Sequence, residues 1–143
     1  MLVKISQISR LLAKDKKPVL LSTIGLNGFP RTRYIGAFKI MDTGRIFLIT
    51  PSDSNKVKEI QQNPRVQVIL SDKNCHRVLT LSGNAAMVQD VHLRQRIFED
   101  TKPIKLYPVF NDYFGVIDFS PVLAEYLDIN VSNNTFVINI PGI

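Results

Sequence analysis

Apolar residues recur at three- and four-residue spacing through Ile5, Ile8, Leu11 and Leu12, which predicts an amphipathic helix over 2–14 that stops before Pro18. Branched residues then dominate Val19 to Ile24, a strand pattern. Gly25-Leu26-Asn27-Gly28 follows as a turn, because Asn-Gly tolerates positive φ. The pattern predicts a second strand over 30–40, a turn at Asp42-Thr43-Gly44 and a third strand over 45–50. After the polar loop Pro51-Ser52-Asp53-Ser54, Val57 and Ile60 share one face of a short helix that Asn63-Pro64 ends. Strands are predicted over 65–71 and, after a turn at 72–74, over 77–89, with Gly83 marking a bulge or bend. Asp90 is placed to cap a helix over 91–99. Residues 100–113, with Pro103 and Pro108, read as irregular or as a short helix. Strands over 113–120 and 122–130 flank Pro121, and Asn133-Asn134 turns into a last strand over 136–140.

Tight turns between the early strands imply antiparallel pairing. Many short strands with few helices favour a closed or nearly closed barrel, since closure removes exposed edges. Neither an internal repeat nor a linker interrupts the 143 residues, so residues 1–143 read as a single domain. At 45% apolar and 21% charged, the composition is that of a folded globular chain and excludes disorder as the main state. No apolar run is long enough to span a bilayer, so no membrane partner is expected. Lys4, Ser6, Gln7, Ser9 and Arg10 stand where a signal peptide carries its apolar core, so a cytoplasmic location is the expectation.

The single cysteine, Cys75, allows no internal disulfide, and with only His76 and His92 there is no soft ligand set for zinc. Adjacent strand residues face opposite ways, which argues against a Cys75–His76 catalytic pair. The net charge of +6 is uneven: residues 1–72 carry 12 Lys/Arg against 5 Asp/Glu. Such a half-chain suits an anionic partner, although a solvated basic surface explains the charge equally well.

Segment 29–65 gives that charge a place. An Arg-rich strand lies beside one ending in Thr50, and Ser54, Asn55 and Lys56 then open a helix. Hydroxyls, a lysine and free N–H groups at a helix start make a phosphate cradle, to which Arg33 adds a fork of donors. The bland alternative keeps Ser54 as a cap, Lys56 as a surface lysine and Arg33 as a solvated arginine. No P-loop and no G-x-G-x-x-G occur. Tyr34, Ile35, Phe38, Phe47 and Ile49 are candidates for an apolar slot, with barrel core as the alternative, favoured for Phe47.

G-R-I-F-L-I-T-P-S-D-S-N-K-V-K-E-I-Q-Q-N-P-R-V (44–66), L-S-T-I-G-L-N-G-F-P-R-T-R (21–33) and A-E-Y-L-D (124–128) carry a resemblance. Over roughly residues 5–130 the chain resembles the pyridoxamine 5'-phosphate oxidase-like flavin-binding split barrels, in their short general-stress-protein form. The resemblance implies a mainly β fold with a few helices, an antiparallel split β-barrel. It implies a homodimer with one FMN per interface groove. Carried over by position, Arg33 and Lys56 hold the phosphate with Ser54 and Asn55 beside them. Tyr34 and Ile35 line the ring, Ile49 and Thr50 contact ring or ribityl, and Val78 contacts the ring from the second subunit. Relatives on this fold also take other flavins, deazaflavin or haem. The chain departs from full oxidases: Phe38 replaces a lysine, Val78 stands where Gln is common, and no C-terminal Arg-x-His element is present. Pyridoxamine phosphate oxidation is therefore not expected.

Three functions follow as expectations. The first is an FMN-dependent reductase of a small aromatic or quinone-like acceptor, with NAD(P)H as donor. The flavin carries the chemistry, so the catalytic side chains stay unassigned. The second is a flavin carrier or stress-related flavin protein without catalysis. The third, nucleic-acid binding by a small basic barrel, ranks last because exposed stacking aromatics are not evident in the pattern. For the dimer, Val78, Leu79 and Leu81 exceed what one barrel face buries by alternation. Tyr107, Phe110 and Tyr113 in segment 100–113 either cover the ring or form a structural loop.

Overall fold

The computed structural model of the chain describes residues 2–103, 106–131 and 135–139. Helix α1 spans Leu2–Ala13, followed by strands β1 (Val19–Ile24), β2 (Pro30–Ile35), β3 (Phe38–Ile40) and β4 (Ile46–Pro51). Helix α2 (Asn55–Gln62) leads to β5 (Arg65–Ser71) and β6 (Arg77–Met87). Helix α3 (Val91–Thr101) precedes β7 (Phe114–Asp128) and β8 (Thr135–Asn139). The predicted turn at Asn133-Asn134 and the strand end at Ile140 lie outside the described residues.

All strand pairs are antiparallel, in the order β2-β1-β5-β6-β7-β4-β3, with β8 added on β7. The two ends of that order, β2 and β3, are joined in the chain by Gly36 and Ala37 alone. The sheet therefore curls round until its ends meet, and the bond from the Ile49 N–H to the Ala37 carbonyl at 3.0 Å extends the β3–β4 ladder up to that corner. This corrects the single strand expected over 30–40. One end pairs with β1 and the other with β4, so the segment must turn a corner at Gly36.

Strand β7 corrects the two strands expected around Pro121, since it runs through that residue. Pro121 lacks an N–H, but it lies between the ladder to β4, which ends at Phe119, and the ladder to β8, which starts at Leu123. On its other side the register slips by one residue between Ser82 and Gly83. Gly83 is required there, because a Cβ would lie 2.1 Å from the Ser120 carbonyl oxygen.

Strand β4 is buried on both faces and separates two cores. Ile46 and Leu48 face the barrel interior with Leu21, Val68, Leu81 and Phe119. Ile5 and Leu12 of α1 seal that interior, each burial contributing about 1.5–3 kcal/mol. Phe47 and Ile49 face a second core with Ile97, Tyr107, Phe114 and Val116. Asp90 caps α3 by accepting from the His92 and Leu93 N–H groups. Leu79 and Leu81 are fully buried within one chain, which removes them from the argument for a second copy. Of that trio only Val78 faces outward, half-buried, opposite Leu127 of β7.

Candidate functional site

The site forms where β4 hands over to α2. Strand β4 delivers Thr50 at its end, and the loop returns Ser54 to it, with Thr50 Oγ1 and Ser54 Oγ 3.1 Å apart. Lys56 Nζ donates to Thr50 Oγ1 at 2.8 Å. Ser54 occupies the N-cap position of α2 without making a side-chain cap hydrogen bond. Its hydroxyl and the first-turn N–H groups of the helix thus form, with Lys56, a polar mouth with positive character.

Arg33, on β2, stands near enough for its charge to act on Lys56. Burial lowers the Lys56 pKa, and the neighbouring Arg33 charge lowers it further against the opposing pull of Glu59. Arg33 does not, however, line the pocket that Lys56 lines. Its Nη2 donates to Glu59 Oε1 at 2.8 Å and its Nη1 to Thr23 Oγ1 at 2.7 Å. Glu59 is only 1% exposed. Burial opposes its charge, but hydrogen bonds from Thr23 and Arg33 and the charges of Arg33 and Arg31 hold its carboxyl below the usual range.

Below the mouth lies an open pocket of about 370 Å³. Of the residues expected from the sequence, Tyr34, Ile35, Ile49, Thr50 and Lys56 line it. Sequence reasoning did not assign Gly36, Ala37, Pro51 or Leu106, which also line it. Tyr107 and Tyr113 line it too, which brings part of segment 100–113 to the site. Phe110 instead packs on Phe98 and Phe114. Burial, with the nearby Tyr113 and Asp53, pushes the Tyr107 phenol up to about 12, so it stays neutral. Tyr34 and Leu106, each 70% exposed, stand at the open side.

Phe38 and Phe47 leave the pocket. Phe47 is a core residue, as its alternative reading held, but of the second core rather than of the barrel interior. Phe38 lines an adjoining groove of about 1150 Å³ that shares Gly36, Ala37 and Leu106 with the pocket and carries Lys16, Lys39 and Lys102. Asn55 is exposed at the start of α2, outside the lining. Val78 is also outside, on β6 between Ser71 and Leu127. Cys75 and His76 lie at the opposite β5–β6 turn, where Lys17 Nζ approaches the Cys75 sulfur at 3.2 Å. Besides those lining residues, Glu59 and Thr23 were missed. The one available signal for Glu59 was its place between Val57 and Ile60, at the margin of the apolar stripe.

A curled antiparallel sheet with this strand order is a split-barrel fold. The pyridoxamine 5'-phosphate oxidase family model matches residues 7–107, and the chain belongs to that family. Among solved structures it is similar to a protein related to general stress protein 26 of B. subtilis, from Clostridium acetobutylicum. That likeness has a TM-score of 0.79 at 19% identity, covering 96% of this chain and 95% of the other. It is similar to a pyridoxamine 5'-phosphate oxidase-related, FMN-binding protein of Nostoc punctiforme (TM-score 0.62, 17% identity, 98% and 95% covered). A heme-binding protein of Mycobacterium smegmatis is also similar (TM-score 0.72, 14% identity, 94% and 57% covered). Comparison with the curated proteins gives no match. The expected split-barrel fold is thus borne out. No helix among the described residues is long and apolar enough to cross a membrane.

Proposed function

We propose that the chain binds FMN in the pocket beneath α2 and serves as a flavin-dependent reductase of a small acceptor, with NAD(P)H as donor. The observation that carries this reading is the Lys56–Thr50–Ser54 cluster, with its uncapped helix start, at the edge of a pocket walled by tyrosines, Ile35 and Ile49. A phosphate monoester suits that cluster: Lys56 supplies an ammonium, Ser54 and Thr50 supply hydroxyls, and Arg33 adds positive charge nearby. Tyr34, Ile35, Ile49 and Tyr107 would flank the ring. A bound flavin would itself supply the hydride or electron transfer. The adjoining groove offers a second reactant room beside the ring; Lys39 is paired there with Asp100, and Lys16 and Lys102 suit an anionic reactant.

Haem fits less well. The pocket lining holds no His, Met or Cys among the described residues, and of the tyrosines that could serve as an axial ligand Tyr107 is held protonated by burial. The exposed Tyr34, Leu106 and Tyr113 at the mouth, and the outward Val78–Leu127 pair, support a homodimer that completes the pocket.

The flavin-carrier reading keeps one supporting observation. Lys56 and tyrosines are the titratable groups of the lining, and Tyr107 is held neutral, so no acid–base pair is assembled there. The absorption spectrum of purified protein, with identification of the released chromophore, tests cofactor binding. FMN in the site is expected, and protein that takes up no added FMN overturns both flavin readings. Steady NAD(P)H consumption with quinone-like acceptors then supports the reductase, and its absence leaves the carrier.

A further inference from the structure

Glu59 lies three residues after Lys56 on α2, almost wholly buried. A carboxylate so placed is costly unless it is paired and hydrogen-bonded. Its Oε1 accepts from Thr23 Oγ1 at 2.8 Å and from Arg33 Nη2 at 2.8 Å. Its Oε2 stands 3.5 Å from Arg31 Nη1. Arg33 Nη1 donates in turn to the same Thr23 hydroxyl at 2.7 Å. Arg33, Thr23 and Glu59 therefore close a ring of three contacts, and both terminal nitrogens of the guanidinium are anchored within it.

We propose that Glu59 is the positioning residue of the anion site, fixing the Arg33 guanidinium on the β1–β2–α2 face that adjoins Lys56 before any phosphate arrives. The inference rests on the FMN reading and adds to it the reason Arg33 is preorganised. A free arginine side chain would lose its rotamer entropy on binding the anion, whereas the anchored one has lost it on folding. A purely structural Glu59 would also stabilise the barrel, but it would not affect a phosphate-bearing ligand differently from a neutral one.

Titration of the apoprotein with FMN and with riboflavin, which lacks the phosphate, separates the two roles. The readout is the ratio of the two affinities, with thermal melts confirming that each variant is folded. Glu59→Asp keeps the charge and withdraws it by one methylene from Arg33 and Thr23. The ratio is expected to fall about tenfold, the value of a charge-assisted contact. Glu59→Gln keeps an oxygen within reach of both donors and is expected to hold the ratio within about twofold. A fall in Glu59→Gln as large as that in Glu59→Asp, or no fall in Glu59→Asp, overturns the proposal. A wild-type protein that binds riboflavin as tightly as FMN instead overturns the phosphate reading itself.

Discussion

Lys56 Nζ and Thr50 Oγ1 meet at 2.8 Å across the junction of β4 and α2, which ties the end of a doubly buried strand to the first turn of a helix. The contact spends one ammonium donor and leaves two for an anion. Lys56→Ala together with Arg33→Ala is expected to weaken FMN binding, each lost contact costing about 1.5–3 kcal/mol. Calorimetric or fluorescence titration measures it, and unchanged affinity in the double variant removes the proposed phosphate site.

Anion affinity should depend on alkaline pH through the same lysine. Burial and Arg33 lower the Lys56 pKa from 10.5. The ammonium therefore loses its proton earlier than an ordinary lysine as pH rises, and affinity for FMN falls with it. A bound dianion raises that pKa again, so the loss is confined to pH values above the pKa of the free protein. Dissociation constants between neutral pH and the lysine range check this, and Lys56→Ala should flatten the profile.

Acid should act through Glu59. Its folded-state pKa is depressed, so its contribution to stability is complete above the ordinary value of 4.5 and is lost as pH falls through the folded value. Denaturant midpoints followed downward from pH 5 should fall less steeply in Glu59→Gln than in the wild type. Parallel curves would show that the carboxylate carries no such linkage.

Two glycines are close-approach positions whose substitution should separate fold from site. Gly83→Ala places a methyl against the Ser120 carbonyl, and Gly115→Ala places one 2.6 Å from the Thr50 carbonyl oxygen. Each should cost about 1–3 kcal/mol in chemical denaturation. Only Gly115→Ala, which displaces Thr50, should also weaken FMN binding in excess of its effect on stability.

Dimerisation can be examined at Val78, which lies outside the pocket of its own chain. Val78→Glu should shift sedimentation from dimer to monomer and lower FMN affinity together. A wild type that sediments as a monomer at micromolar concentration would contradict the shared groove.

Local signals in the chain were sufficient for most elements. Asn27-Gly28 turns with Gly28 at φ 85°, and Asp90 caps α3, because these choices depend on a residue and its immediate neighbours. The Ser-x-Lys loop and the strand ending at Thr50 were legible for the same reason. The corner at Gly36 was not, because nothing in Arg33–Ile40 says that its two halves pair with different strands. Pro121 looked like a strand end, since the gap between the β4 and β8 ladders that accommodates it is made by residues far away in the chain.

The amino-acid sequence alone thus determined the run of helices and strands, the turn chemistry and the set of cations near the start of α2, all consequences of periodicity and backbone preference. Only the tertiary structure decided that Glu59 is buried against Arg33, that Phe47 faces a second core, and that Tyr107 and Tyr113 reach the pocket. Those outcomes depend on which faces meet when the sheet curls, a long-range packing condition that no short stretch of residues encodes.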